Sequence, residues 1–172
     1  MKLRAHKFTI IAVVVSVTGL VAAMTYEFAP RLIWNATPSA PIGLYKVEQK
    51  PPAIGDFALV MPSGSAEKLI YDRGYLPPGI PLLKRVAAMS GDKICRTKDI
   101  VFVNNYQVAN ALFADSNGRK MPRWNGCFTL QSHEFFLLND HEKSLDGRYF
   151  RATNESQIIG VAIPVFIRGS DE

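Results

Sequence analysis

The sequence predicts a mainly β fold of antiparallel, coiled sheets, barrel-like or sandwich-like, preceded by one N-terminal transmembrane helix. Three observations predict it. Proline and glycine recur as punctuation from Pro38 to Gly91, short apolar or alternating runs lie between them, and residues 8–26 carry no charge. As a helix, that uncharged run would cover roughly 28 Å at ~1.5 Å per residue, about the thickness of a hydrocarbon core. Strand-like runs follow at 42–47, 56–61, 81–88, 100–103, 134–138 and 158–167. Residues 103–108 read as a hairpin about Asn104-Asn105, because asparagine tolerates positive φ. A second helix fits 65–73, and 109–125 is polar and loop-like.

The N-terminus carries an address. Lys2, Arg4 and Lys7 precede the apolar run and Glu27 follows it. The positive-inside rule then keeps 1–7 in the cytoplasm, makes 8–26 the membrane anchor and exports 27–172. A cleaved signal peptide competes, with Val21 and Ala23 at the −3 and −1 places. The long apolar run favours the uncleaved anchor, and both readings export the body.

The chain has 172 residues, enough for one exported domain, and 48% of them are hydrophobic, which excludes intrinsic disorder. Its formal charge is +5, but three of the basic residues lie in the first seven. From residue 8 onward, 17 basic residues face 15 acidic ones, which argues against a nucleic-acid surface. Two cysteines without a CxxC do not make a Cys-rich zinc site. Export would place Cys95 and Cys127 in an oxidising compartment and favours a disulfide between them over two buried thiols.

A hydrolytic serine needs a base for its proton and donors for the oxyanion. His133 and His141 read as surface turn residues, and no G-x-S-x-G elbow occurs. The two His-Glu dipeptides lack the H-E-x-x-H spacing of a zinc site, so no metal is expected. The S-x-x-K strings at Ser65–Lys68 and Ser90–Lys93 lack an apolar helical frame. Lys84 differs. In a strand it would share a face with Leu82 and Val86. A lysine so placed either snorkels along an edge or is buried, and burial lowers its pKa toward that of a base at neutral pH. Ser39 lies between Pro38 and Pro41, so its backbone is constrained just ahead of a strand. Asn35-Ala-Thr37 and Asn154-Glu-Ser156 also fit the glycosylation sequon.

The ordered strings T-P-S-A-P-I-G-L-Y (37–45), L-L-K-R-V-A-A-M-S-G-D-K-I-C (82–95) and L-N-D-H-E-K-S-L-D-G-R-Y-F (138–150), behind an N-terminal anchor, resemble the Ser-Lys type I signal peptidase family. Within it they are most similar to the TraF, or conjugal transfer peptidase, branch. The resemblance implies a barrel-like signal-peptidase fold and a serine endopeptidase without cofactor. By position it implies Ser39 as nucleophile and Lys84 as general base, with the Ser39 N–H and the Thr37 hydroxyl as oxyanion donors. It further implies that Ser144 orients the lysine amine, that Asp146 and Arg148 form a supporting ion pair, and that Arg85 and Gly91-Asp92 belong to the lysine framework. The expected substrate is a conjugative pilin precursor, cleaved or cyclised on the periplasmic side of the bacterial inner membrane. The lipid bilayer and type IV secretion components are the other implied partners; nucleic acid is not. Two departures argue against a housekeeping role: Ser39-Ala40-Pro41 stands in place of an S-M-x-P pattern, and Ala88-Met89-Ser90-Gly91 stands where Gly-x-Pro-Gly is common. The competing functions are a general signal peptidase and a non-catalytic assembly factor of a conjugation channel.

Overall fold

The computed structural model describes residues 2–25 and 31–169, with side chains in the first segment for Phe8 and residues 10–21. Two compact units result, Met1–Pro30 and Arg31–Glu172. In the first, α1 (Lys2–Thr25) is a single helix. Among the described residues no helix is long and apolar enough to cross a membrane. The expected anchor over 8–26 extends to Tyr26, which lies outside the described residues.

The second unit is mainly β. Its strands are β1 (Leu32–Asn35), β2 (Gly43–Glu48), β3 (Phe57–Val60), β4 (Leu82–Ala88), β5 (Lys93–Thr97), β6 (Ile100–Val103), β7 (Tyr106–Asn110), β8 (Gly126–Thr129), β9 (Glu134–Leu137), β10 (Thr153–Asn154) and β11 (Ile158–Ile167). Two short helices join them, α2 (Gly64–Asp72) and α3 (Gly147–Phe150). Every strand pair is antiparallel, in a seven-stranded sheet β1-β2-β11-β3-β4-β9-β10 and a four-stranded sheet β7-β6-β5-β8. The larger sheet is curled but open, with β1 and β10 at its edges. Register shifts in β11 and between β4 and β9 bend the strands at those points.

Local chemistry accounts for these elements. β4 and β11 sit inside the sheet; β11 reads as a nearly continuous apolar run and β4 as apolar residues on either side of Lys84-Arg85, which makes both legible from sequence. The hairpin from β6 to β7 turns at Asn104 and Asn105, with φ of 49° and 71°. β2 must begin with glycine, because a Cβ at Gly43 would stand 2.1 Å from the Phe166 carbonyl oxygen. The strands β1, β5, β8 and the two-residue β10 fall outside the expected set. β5 reads Lys-Ile-Cys-Arg-Thr and buries Arg96, while β8 opens on a glycine in a polar stretch, so neither shows a clean apolar alternation. Ile94 and Val101 of the smaller sheet pack with Ala88 and Phe136 of the larger one, joining the two sheets in one core. Cys95 and Cys127 stand directly opposite each other in the β5–β8 register and are disulfide-bonded.

Candidate active site

Ser39 lies in a turn between β1 and β2, and a single side chain shapes that turn. Asn35, the last residue of β1, is buried; its Nδ2 donates to the carbonyls of Thr37 (2.9 Å), Ala40 (3.0 Å) and Pro41 (3.0 Å). Its Oδ1 accepts from the Thr37 hydroxyl at 3.0 Å and the Thr37 N–H at 3.3 Å. An Asn amide bonding back to its own loop fixes a turn that proline alone would leave half-determined. From the other side the buried Tyr45 hydroxyl donates to the Pro41 carbonyl at 2.6 Å. Burial pushes the Tyr45 phenol up, against the nearby Arg85 charge, so it remains a donor. The Ser39 Oγ is half-buried, 3.2 Å from Thr37 Oγ1. The Ser39 backbone N–H donates to no acceptor among the described residues, which leaves it free for an oxyanion.

Lys84 is buried in β4, 4% exposed. Its face is the one the alternation predicts, shared with the buried Val86 and Ala88. The Nζ donates to Ser144 Oγ at 2.8 Å, its one hydrogen-bond partner among the described residues. An ammonium has three protons to place and a neutral amine has two plus a lone pair, so a site with one acceptor suits the neutral form. Desolvation brings the pKa down from 10.5 to about 8. Asp146 raises it and Arg148 lowers it, so the neighbouring ion pair largely offsets itself and burial decides the direction.

Behind the amine stands a second polar layer. Asp146 and Arg148 are buried and form a two-pronged pair, Nε to Oδ1 at 2.8 Å and Nη2 to Oδ2 at 3.2 Å. Arg148 also donates to the carbonyls of Asn110, Asn139 and Glu142. Asp146 accepts from the Asn139 N–H and caps α3 by accepting from the Arg148 N–H. The buried Asn139 in turn brackets Lys84: its Nδ2 donates to the Leu83 carbonyl and its Oδ1 accepts from the Arg85 N–H. The amide thus extends the β4–β9 ladder past the end of β9, at the point where Lys84 is held. Gly147 lets this segment press onto β9, since a Cβ there would meet the Phe136 ring at 2.7 Å.

Ser39, Thr37 and Lys84 line one cavity of about 380 Å³, walled largely by Ile33, Trp34, Leu59, Leu76, Ile80 and Leu82. No hydrogen bond joins Ser39 to Lys84 among the described residues; the serine hydroxyl faces Thr37 and must rotate to reach the amine. The Arg85 guanidinium lies over the Phe57 ring, 4.9 Å from the centroid, and lines a second, larger cavity that Ser39 also borders. Asp92 closes the turn after β4 by accepting from the Met89 N–H, and Gly91 there has φ of 92°. The S-x-x-K strings lie on the surface. His133 is exposed and bonded to Glu155. His141 borders the larger cavity without a hydrogen bond to Ser39.

Sequence reasoning missed Asn35 and Asn139. Asn35 carried a readable signal, since it opens an Asn-x-Thr-Pro turn. The sequon it fits has no structural use here, because its amide is fully engaged.

Comparison with known proteins gives this geometry a family. A profile described as "Signal peptidase, peptidase S26" matches residues 3–167. "Plasmid transfer protein TraF" of Escherichia coli is 34% identical over 142 residues, covering 76% of this chain and 80% of that one. "Conjugal transfer protein TraF" of Agrobacterium tumefaciens (strain 15955) is 34% identical over 145 residues, covering 77% and 80%. A solved signal peptidase I from Enterococcus faecalis V583 overlaps 66% of this chain and 98% of its own, at 17% identity and a TM-score of 0.39, too distant to add to the assignment. With the profile running from the N-terminal helix to the end of β11, and relatives a third identical over three quarters of the chain, this protein belongs to the signal peptidase family, peptidase S26.

Proposed function

We propose that this protein is a membrane-anchored serine endopeptidase that processes a conjugative pilin precursor on the periplasmic side of the inner membrane, using Ser39 and Lys84. The observation that carries the reading is the Lys84 amine, buried, its pKa brought to about 8, and bonded among the described residues only to Ser144, beside the same cavity as Ser39. The TraF relatives, named for plasmid and conjugal transfer, supply the conjugative context. The uncharged run 8–26 supports the anchor, which would hold enzyme and membrane-bound precursor in one plane.

The substrate lies extended beside β1, an edge strand unpaired on its outer side among the described residues and followed by the Ser39 turn. The hydroxyl of Ser39 turns from Thr37 to the neutral Lys84, which takes its proton as Oγ bonds to the scissile carbonyl carbon. The oxyanion accepts from the Ser39 N–H and from Thr37, whose proton swings off Asn35 Oδ1. The tetrahedral intermediate collapses, the C–N bond breaks, and the Lys84 ammonium returns the proton to the departing amine. Water then attacks the acyl-enzyme and releases a linear product. An amino group at the other end of the same pilin chain attacking instead gives a ring.

Mass spectrometry of the co-expressed pilin precursor tests the reading. The wild-type enzyme is expected to yield a shortened pilin, with a ring lighter than the linear product by one water. Ser39→Ala and Lys84→Met are each expected to leave the precursor intact. Undiminished processing in either variant removes the dyad. Broad cleavage of unrelated secretory precursors would point instead to a general signal peptidase.

A further inference from the structure

Ser39 stands on the boundary of two cavities, and the chemistry above uses only the apolar one. The larger, about 770 Å³, is bordered by residues 38–42, Phe57, Arg85, Asp140, His141 and Arg168. Successive residues of a strand point to opposite faces, so β4 sends Lys84 toward the apolar cavity and Arg85 toward the polar one. Stacking on Phe57 orients the Arg85 guanidinium, and its N–H groups donate to no acceptor among the described residues. Among the described residues neither Arg85 nor Arg168 is ion-paired. Among the described residues that line it, Asp140 brings the one formal negative charge and pairs with neither arginine. Among the described residues, two guanidiniums against one carboxylate make the lining of this recess positive.

We propose that this cavity is a carboxylate-recognising subsite. It takes the substrate segment on the opposite side of the scissile bond from the one held in the apolar cavity. Arg85 and Arg168 select that segment for a carboxylate, on a side chain or at a chain end. A guanidinium presents parallel N–H donors that match a carboxylate, and one already oriented by stacking loses little freedom on binding. The inference rests on reading Ser39 as the point where the substrate crosses the site.

The test uses the full chain in detergent micelles carrying Ser39→Ala, so that nothing is turned over. Ligand-observed NMR at low salt measures the binding of three blocked tripeptides: acetyl-Gly-Asp-Gly-amide, acetyl-Gly-Asn-Gly-amide, and acetyl-Gly-Asn-Gly with a free carboxylate. At least one carboxylate probe is expected to bind about 10-fold more tightly than the neutral amide, and which one does identifies the source. Arg168→Gln is expected to cut that preference about 3-fold, and Arg85→Gln to remove most of it. Arg168 is exposed, so its variant reports even where loss of the Phe57 stacking disturbs the other. Equal binding of all three probes, or a preference untouched by Arg168→Gln, overturns the proposal. The assay needs no turnover, so its failure and failure of the dyad are read separately.

Discussion

The seven-stranded sheet and the segment packed on it bury Lys84, Asn139, Ser144, Asp146 and Arg148; Lys84 is bonded to Ser144, and Asn139, Asp146 and Arg148 are bonded to one another. The four-stranded sheet buries Ile94 and Val101 and carries the Cys95–Cys127 disulfide. A buried ion pair is weak evidence for stability, because desolvation can exceed the attraction. A disulfide that closes a loop of this length contributes about 3–4 kcal/mol in the chain-entropy model. The two sheets therefore divide the work: one holds charged and polar groups where chemistry needs them, and the other supplies part of the stability that allows it. Arg96 of β5 links them, donating to the Arg148 carbonyl at 2.6 Å.

The largest expected effects break the polar sheet's chemistry without breaking its fold. Ser39→Ala and Lys84→Met should each lower precursor processing at least ~10³-fold, read by mass spectrometry, with circular dichroism unchanged. Asn35→Ala should cost about 10²-fold in the same assay, because it releases the carbonyls that hold the Ser39 turn. Arg148→Met leaves the Asp146 carboxylate buried without its partner and should destabilise by about 3–5 kcal/mol in urea titration. The joint variant Cys95→Ser, Cys127→Ser should lose about 3–4 kcal/mol yet keep its specific activity at low temperature. If it loses activity as steeply as stability, the division between the sheets fails.

The same contrast explains what was legible in the sequence. The central strands of the larger sheet announce themselves by apolar runs, and Asn104-Asn105 by turn chemistry. Lys84 was legible as a candidate for burial because its face neighbours are apolar. That Ser39 shares its cavity was legible only through the family resemblance, since 45 positions separate the two and the order of strands in the sheet unites them. Asn139 was illegible for a further reason. Its task is to imitate a strand's backbone beyond the end of β9, and no local pattern marks a side chain that completes a ladder. β5 and β8 escaped because one buries an arginine and the other opens on a glycine, both against strand patterning.

The smallest effect separates the two sheets by proton linkage. With the Lys84 pKa at about 8, the neutral amine grows about tenfold per pH unit below that value and saturates above it. A pH profile of kcat/KM should therefore rise and then flatten near pH 8, and a profile flat from pH 6 to 9 would exclude Lys84 as the base. Stability moves in a defined direction too. Unfolding returns the lysine to its ordinary 10.5, so between about 8 and 10.5 the unfolded chain binds more protons than the folded one. The penalty of burying this amine is complete below pH 8 and disappears as pH rises through 10.5. Lys84→Met should then be the more stable protein at pH 7, by at most about 3 kcal/mol, with the difference shrinking above pH 8. The disulfide has no proton to lose over this range, so the double cysteine variant should run parallel to the wild type across it. Urea titrations of the three proteins at pH 7 and pH 9 distinguish a sheet whose stability is held down by its own base from one whose stability is indifferent to pH.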